Sequence, residues 1–372
     1  MKFRNTCLAA VFSLMCASCA SLPSSTDTTD TLAATAFQPY GRTMLNEALN
    51  LVLVSSAAHF GFSFEGKEAL LYASIPNAEG HNYLQYELDG EYQKRIKIDG
   101  GSAAPILIKA PAGGRHTVWV YKATEAHTGP VAIAKVTGAG VEALQRPQAP
   151  LIEFIGNSIT CGAAADPSEV PCGTGEYHDQ HNALMAYGPQ VAEAVGANYV
   201  ISCVSGIGAY RNWNSDGPTM PEVYEKVDFQ ATNPERWNFS TYSPKVVSIA
   251  LGTNDFSNGD GKKERLPFDS ARFVNSYIAF VRQVKGKYPE AQIALLSSPM
   301  VNGNNREILQ NALTTVKKQI DAIYPADAPV ALHFFEPMQA SGCSGHPSVE
   351  EHAVLARELV PFFSKLLKPQ GE

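Results

Sequence analysis

Between residues 38 and 146, short segments of the chain alternate apolar and polar residues. Six to eight strands are predicted, from residues 51–54, 60–64, 70–75, 83–88, 94–98, 106–109, 116–122 and 131–136. Turn-forming pairs such as Glu65-Gly66, Asp89-Gly90 and Gly113-Gly114 lie between them. Short strands at this spacing predict an antiparallel β-sandwich.

From residue 151 onward the pattern changes to buried strands that alternate with amphipathic helices. Strands are predicted at residues 151–155, 199–202, 246–251, 293–297 and 330–335, and helices near 183–195, 268–287, 305–324 and 348–367. Ser348 and Glu351 form a capping box at the start of the last helix. This alternation predicts an α/β domain built on a doubly wound parallel sheet.

The first residues have the pattern of an export signal. Lys2 and Arg4 precede an apolar stretch, and small residues precede Cys19. Residues 16–19 resemble a bacterial lipobox, which implies a lipoprotein signal over 1–18 and a lipid on Cys19. The alternative is an ordinary signal that is cut near Ala20. We expect an envelope lipoprotein that contacts the membrane only through its lipid, with a tether (19–36), a sandwich (37–147) and an α/β domain (148–372).

Composition narrows the class of protein further. The 372 residues are 45% hydrophobic and 17% charged, which is typical of a globular chain. The net charge is −7 and no basic block occurs, so nucleic acid is not an expected partner. After the signal and Cys19, four cysteines remain: Cys161, Cys172, Cys203 and Cys343. Three disulfide connectivities are possible. The pairs Cys161–Cys172 and Cys203–Cys343 are favoured because the first is the most local, and free thiols are the alternative.

Four polar or small residues each follow a different strand of the predicted parallel sheet. Ser158 lies in Gly-Asn-Ser after the first strand, Gly206 after the second, Asn254 after the third and His346 after the fifth. Each signal is weak alone, because Ser, Gly, Asn and His are common in turns. Together they place a nucleophile, oxyanion donors and a base at one sheet edge.

This order resembles the SGNH, or GDSL-like, hydrolase superfamily over residues 151–367, and the chain contains no G-x-S-x-G motif of the α/β-hydrolases. Residues 154–162, 186–188, 205–212 and 219–224 resemble the family 2 carbohydrate esterases more closely. That family places a jelly-roll sandwich before the SGNH domain. Residues 114–118 and 122–126 resemble the end of this sandwich. The resemblance implies removal of acetyl groups from plant polysaccharides such as xylan and glucomannan.

The resemblance also implies a role for each site residue. Ser158 is the expected nucleophile and His346 the base, with Ser158, Gly206 and Asn254 as oxyanion donors; Gly208 is the alternative to Gly206. Trp213, Tyr210 and Asp255 are candidate substrate contacts. The H-x-x-H of residues 178–181 has no third ligand nearby in sequence, so no metal or cofactor is expected.

Two positions depart from the superfamily pattern. Asn157 replaces the Asp before the nucleophile, and Cys343 replaces the Asp that orients the histidine. A backbone carbonyl is expected to orient the His346 ring instead, as in family members with a Ser–His dyad. Three alternatives stay open: an enzyme of low or no activity, an esterase for another small acyl ester, and a glycan-binding lipoprotein without catalysis.

Overall fold

The structure is a computed structural model that describes residues 1, 29–145 and 147–368. The predicted signal segment after Met1, the lipidation candidate Cys19 and the tether up to residue 28 lie outside these residues. The described chain forms an antiparallel β domain followed by an α/β domain, as predicted. Within the described residues, no helix has both the length and the apolar character needed to cross a membrane.

The β domain contains nine antiparallel strands. They are β1 (Asp30–Ala33), β2 (Thr43–Leu45), β3 (Leu51–Leu53), β4 (His59–Ser74), β5 (His81–Leu88), β6 (Glu91–Asp99), β7 (Ile106–Lys109), β8 (Arg115–Lys122) and β9 (Val131–Ala143). Their order is β2-β3-β9-β4-β8-β5-β6, with β1 paired to β9 and β7 to β4. Strands β3 to β9 all contribute buried side chains to one apolar cluster, so the sheet encloses a single core.

The alternation of side chains between the two faces of a strand explains how β4 contributes to this core. Phe60, Phe62 and Phe64 occur at every second residue, and all three side chains are fully buried. The turn predicted at Glu65-Gly66 is wrong, because β4 continues through it to Ser74. The register with β9 shifts around Glu65, and Gly66 has φ +95°, so the glycine marks an irregularity within the strand.

The predicted tether also ends earlier than expected. Asp30–Ala33 forms β1 and pairs with β9, and Ala34–Ala36 forms a 3-10 turn in which Ala34 is buried. Residues 30–36 therefore belong to the β domain. Their composition of Asp, Thr, Ala and a single Leu gave no sign of this pairing, which depends on a partner strand distant in sequence.

The α/β domain contains five parallel strands: β10 (Leu151–Gly156), β11 (Asn198–Cys203), β12 (Val246–Ala250), β13 (Gln292–Leu296) and β14 (Ala331–His333). Their order is β11-β10-β12-β13-β14. The helices are α1 (Ser158–Cys161), α2 (Tyr187–Ala194), α3 (Met220–Val223), α4 (Thr253–Phe256), α5 (Ser270–Lys287), α6 (Asn304–Ile323) and α7 (Val349–Leu367). Helices α5 and α6 cover one sheet face, and α2 and α7 cover the other.

This strand order places a topological switch point between β10 and β12. The chain leaves β10 toward β11 on one side and then returns to β12 on the other. In open α/β sheets, binding sites form at the carboxyl edge beside such a point. Ser158 and Asn254 follow these two strands directly.

The two domains share a buried interface. Arg42 of the β domain is fully buried and donates to the carbonyl of Tyr224 at 2.7 Å. Its guanidinium lies 4.0 Å from the ring centroid of Phe229 and 4.0 Å from a carboxylate oxygen of Glu153. Tyr121 of β8 packs into an apolar cluster of the α/β domain. The β domain is therefore positioned to contribute side chains to a site in its neighbour.

Candidate active site

Ser158 lies on a tight turn between β10 and α1. The turn requires glycine at position 156, since a Cβ there would lie 2.0 Å from Thr160 Oγ1. Asn157 caps α1, and its Oδ1 accepts the N–H of Ile159 at 3.1 Å. Asn157 thus has a structural role in shaping the turn, which an amide oxygen can perform as a carboxylate would.

His346 contacts Ser158 directly. The distance from its Nε2 to Ser158 Oγ is 2.9 Å, which is a hydrogen bond. Among the described residues, no acceptor meets hydrogen-bond geometry at the other ring nitrogen, Nδ1. Burial lowers the pKa of His346, and the backbone carbonyls of Cys343 and Ser344 oppose this shift. Ser158 and His346 thus form a hydrogen-bonded pair, but the backbone carbonyl expected to orient the ring does not reach hydrogen-bond geometry at Nδ1.

The loop that carries His346 is held at both ends. A disulfide joins Cys343 to Cys172, and Cys343 N–H donates to the carbonyl of Ala164 at 2.9 Å. Glu351 accepts the backbone N–H groups of Ser341 at 2.9 Å and of Ser348 at 2.8 Å. The capping box at Ser348 is confirmed.

The second disulfide joins Cys161 to Cys203. It ties α1, which begins at Ser158, to the end of β11, which leads into the Gly206 loop. The four predicted cysteines are all disulfide-bonded, but the favoured pairs Cys161–Cys172 and Cys203–Cys343 are wrong. Parallel strands bring the ends of β10 and β11 together, and this spatial proximity outweighs proximity in sequence.

Two further donors face the region of Ser158. Gly206 has φ +74°, a backbone conformation that favours glycine. Gly208 uses its N–H to donate to Asn212 Oδ1 at 3.1 Å, which favours Gly206 over Gly208 as an oxyanion donor. Asn254 donates one side-chain N–H to the carbonyl of Ile207 at 2.7 Å. This bond orients the amide and leaves its second N–H for a ligand.

These groups line one cavity of about 640 Å³. Ser158, Gly206, Asn254 and His346 all contribute to its wall, so the structure brings together residues that are far apart in sequence. Apolar surface comes from Trp213, Met300, Ile159 and the ring of Tyr177. The volume is in the range of pockets that hold small organic ligands.

Comparison with known proteins agrees with this geometry. The carbohydrate esterase 2 N-terminal family matches residues 40–147, and the GDSL-like lipase/acylhydrolase family matches residues 154–350. The chain belongs to the GDSL-like lipase/acylhydrolase family. Its N-terminal domain is that of the family 2 carbohydrate esterases, which confirms the resemblance seen in the sequence.

Similar proteins share both domains. An acetylxylan esterase/glucomannan deacetylase of Cellvibrio japonicus is 27% identical over 343 residues, covering 91% of each chain. The solved structure of a family two carbohydrate esterase from Cellvibrio japonicus has a TM-score of 0.78 and 26% identity, and the match covers 92% of this chain and 98% of that one. A family two carbohydrate esterase from Clostridium thermocellum in complex with cellohexaose has a TM-score of 0.75, 26% identity and coverage of 88% and 98%.

The three predicted substrate contacts have different positions in this hydrolase. Trp213 lines the catalytic cavity and is 43% exposed. Tyr210 lines a neighbouring cavity of about 500 Å³, and its hydroxyl accepts the N–H of Asp269 at 3.1 Å. The two cavities share Asn214 and Ser215. Tyr210 therefore lines the cavity next to the one that contains Ser158.

The prediction of a substrate contact for Asp255 is wrong. Its side chain is fully buried, and its carboxylate accepts the backbone N–H groups of Ala209, Tyr210 and Arg211 at 2.9–3.2 Å. Burial raises the pKa of Asp255, and these N–H groups oppose that shift. Asp255 anchors the loop after β11 from behind.

The first three residues of the H-x-x-H segment lie in a 3-10 turn, Tyr177–Gln180, beside the 640 Å³ cavity, and His181 follows the turn. The two histidines of this segment do not form a ligand pair, since His181 contacts Ala164 and Glu125. Instead His81 of β5, His178 and Asp179 each place one ligand atom within 4.8 Å of the others. These side chains also bond within the protein. His81 pairs with Asp179, and His178 Nε2 lies 3.2 Å from the carbonyl of His81. This cluster is the one group among the described residues with metal-ligating potential, and it joins the two domains.

Sequence reasoning missed two residues near the dyad. Tyr177 lines the cavity, and its ring centroid lies 6.1 Å from that of His346. Glu125 reaches the site from the β domain and accepts the N–H of Ser205 at 2.7 Å. Tyr177 had a signal in its position beside the H-x-x-H, and Glu125 had one in its position within residues 122–126, which resemble the end of the family's sandwich.

Proposed function

We propose that this protein is a carbohydrate O-acetylesterase that removes acetyl groups from plant polysaccharides such as xylan and glucomannan. The observation that carries the proposal is the 2.9 Å contact between His346 Nε2 and Ser158 Oγ inside the 640 Å³ cavity. The names of the similar proteins, an acetylxylan esterase/glucomannan deacetylase among them, support the substrate class.

Acylation begins with Ser158. Its Oγ attacks the acetyl carbonyl while His346 Nε2 accepts the hydroxyl proton across the 2.9 Å contact. The tetrahedral intermediate collapses when the C–O bond to the sugar breaks. His346 then returns the proton to the departing sugar oxygen, which leaves an acetyl ester on Ser158.

The negative charge of the tetrahedral intermediate is stabilised by three N–H donors: the backbone N–H of Ser158, the backbone N–H of Gly206 and the side chain of Asn254. The bond from Asn254 to Ile207 fixes the amide before substrate binds, so little reorganisation is needed. Removing one such donor typically costs about 3–4 kcal/mol of barrier.

Deacylation repeats these steps with water. His346 accepts a proton from water, whose oxygen attacks the acetyl carbonyl, and Ser158 leaves with the proton that His346 returns. Burial lowers the pKa of His346, so the ring is neutral and able to accept a proton at neutral pH. The carbonyls of Cys343 and Ser344 stabilise the protonated ring in place of a carboxylate, although a dipole does so less than a full charge.

Trp213 is the cavity residue best suited to a sugar ring. It is 43% exposed and presents an apolar face beside Asn254 and Met300. Aromatic faces bury the apolar C–H surface of sugars. We assign Trp213 to the polysaccharide and the smaller space between Ser158, Gly206 and Asn254 to the acetyl group.

The test is acetate release from acetylated xylan and acetylated glucomannan. Wild-type protein should release acetate, and Ser158→Ala should release none while keeping its fold by circular dichroism. Ser168→Ala is the matched control, because Ser168 is an exposed loop residue away from the cavity. Hydrolysis of a simple aryl acetate without release from either polysaccharide would contradict the substrate class. Inactivity toward every acetyl ester would contradict the esterase.

We also propose that the protein is an exported lipoprotein of the cell envelope with its lipid on Cys19. Support comes from the pattern of residues 1–19 and from the two disulfides, which are typical of oxidising compartments. The test is labelling with a radioactive fatty acid in a bacterial host. Wild-type protein should be labelled and Cys19→Ser should not; labelling of both, or of neither, would contradict the lipid on Cys19.

A further inference from the structure

A buried carboxylate from the β domain lies against the loop after β11 that carries Ser205 and Gly206. Glu125 follows β8, and only 3% of it is exposed. Its Oε2 accepts the backbone N–H of Ser205 at 2.7 Å, and its Oε1 lies 3.4 Å from His181 Nε2. Both partners belong to the α/β domain. Glu125 therefore crosses the domain interface to reach the residue directly before Gly206.

The loop that presents Glu125 is itself built around a buried lysine. Lys122 Nζ donates to the carbonyls of Thr124 at 3.0 Å and of Glu125 at 2.7 Å, and to Thr124 Oγ1 at 2.9 Å. Lys122 is fully buried, so these bonds fix the loop at its start. The carboxylate is thus delivered at a defined position.

Glu125 is ionised in this environment. Burial alone would raise the pKa of Glu125, but hydrogen bonds from His181 and Ser205 outweigh it and lower this pKa to about 2. His181 Nδ1 accepts the N–H of Ala164 at 3.2 Å, so its Nε2 carries the proton and donates toward Glu125. A charged acceptor makes the bond to Ser205 stronger than a neutral one would.

The Ser205–Gly206 turn is held from two sides. Glu125 holds the N–H of Ser205, and the N–H of Trp213 donates to the carbonyl of Gly206 at 2.8 Å. Gly206 has φ +74° and little steric restraint of its own, since a Cβ would meet only Trp213 Cβ, at 3.9 Å. The direction of the Gly206 N–H therefore depends on these two anchors.

We propose that Glu125 is a positioning residue of the active site, which aims the Gly206 N–H at the oxyanion and supplies negative charge near His346. The proposal rests on the esterase function proposed above. It makes the β domain a part of the catalytic machinery through one side chain.

The charge of Glu125 also acts on the general base. Burial lowers the pKa of His346, and its interaction with His181 lowers it further; Glu125 and the carbonyls of Cys343 and Ser344 raise it. His352 of α7 interacts electrostatically with His346 as well, and the uncharged groups against the ring are Ser158 Oγ and the Tyr177 ring. Removing the charge of Glu125 removes an interaction that raises the pKa of His346. The acid limb of the pH profile of kcat/KM, where His346 becomes protonated, should therefore move to lower pH.

Two variants separate the bond from the charge. Glu125→Ala removes both, and kcat should fall by about 10²-fold, the loss typical of a 1 Å misplacement, with little change in KM for an aryl acetate. Glu125→Gln keeps an oxygen that can accept from Ser205, so it should recover much of kcat. In both variants the acid limb of kcat/KM should move to lower pH. An unchanged kcat in Glu125→Ala, or an unchanged acid limb in both variants, would overturn the proposal.

Glu153→Gln is the matched control. Glu153 is also a buried glutamate at the domain interface, bonded to Ser202 at 2.6 Å and Tyr224 at 3.0 Å and facing Arg42. The Glu153→Gln variant should lower the melting temperature without moving the acid limb of the kcat/KM profile. A merely structural Glu125 would behave as Glu153 does, and that result would contradict positioning.

Two measurements need no turnover and keep this proposal separate from the esterase proposal. Amide hydrogen exchange at Ser205 should be faster in Glu125→Ala than in wild type and should return toward wild type in Glu125→Gln. NMR titration should show a lower pKa of His346 in both variants. If these shifts appear in a protein that hydrolyses no acetyl ester, the esterase proposal fails and the placement of Glu125 stands. If the protein is active and neither shift appears, the placement of Glu125 fails.

Discussion

We expect the disulfide between Cys172 and Cys343 to stabilise the fold and to position His346, the proposed general base. Cys343 lies three residues before His346 and belongs to the same loop. The double variant Cys172→Ser with Cys343→Ser removes this link without leaving a free thiol. The chain between the two cysteines spans 171 positions, and closing a loop of that size corresponds to about 5 kcal/mol of chain entropy.

The backbone bond from Cys343 to Ala164 and the two bonds to Glu351 remain in this variant. We therefore expect the free energy of unfolding to fall by about 2–5 kcal/mol, within the range seen when native disulfides are removed. The turnover number should also fall, because the carbonyls of Cys343 and Ser344 act on the His346 ring. Urea denaturation followed by tryptophan fluorescence and initial rates on an aryl acetate measure the two effects.

The matched comparison is Cys161→Ser with Cys203→Ser, which opens a span of 42 positions and corresponds to about 4 kcal/mol. Its loss should lower stability by a similar amount while leaving the His346 loop tied. The reasoning would be refuted if the Cys172 and Cys343 variant kept both its urea midpoint and its turnover number.

Three further predictions concern the cavity. Asn254→Ala should lower kcat by about 10²–10³-fold with little change in KM, since its amide acts on the transition state; steady-state kinetics on an aryl acetate check this, and an effect confined to KM would contradict it. Because burial lowers the pKa of His346, the acid limb of kcat/KM should have its midpoint below the usual histidine value of about 6.5, and a midpoint above that value would contradict the burial argument. Trp213→Ala should raise KM for acetylated polysaccharide but not for an aryl acetate, and equal changes for both substrates would remove Trp213 from sugar binding.

Local sequence patterns predicted most of the α/β domain. The run of buried residues at 151–155 predicted β10, and the amphipathic pattern at 305–324 predicted α6, because both patterns report burial against neighbours directly. The carboxyl ends of parallel strands share one edge, so the positions of Ser158 and Asn254 after their strands were enough to predict that they meet.

Features that depend on contacts distant in sequence could not be predicted in this way. The disulfide partners of Cys161 and Cys172 follow from which loops the sheet brings together. The local sequence around Gly66 is compatible with either a turn or a bulge, and only the pairing of β4 with β9 distinguishes these two structures. Asp255 is polar and next to Asn254, which suggested a contact with substrate. Its carboxylate is instead buried and accepts hydrogen bonds from three backbone N–H groups. Glu125 reaches the site across a domain interface, which no local pattern encodes.

The central claim is that Ser158 and His346 hydrolyse acetyl esters through an acetyl-enzyme. The most direct measurement is rapid quenching of wild-type protein mixed with an activated acetate ester, followed by proteolysis and mass spectrometry. The account predicts one acetyl group on the peptide that contains Ser158, absent from Ser158→Ala. Acetate release without this adduct at an early quench, or the same adduct on another residue, would contradict it.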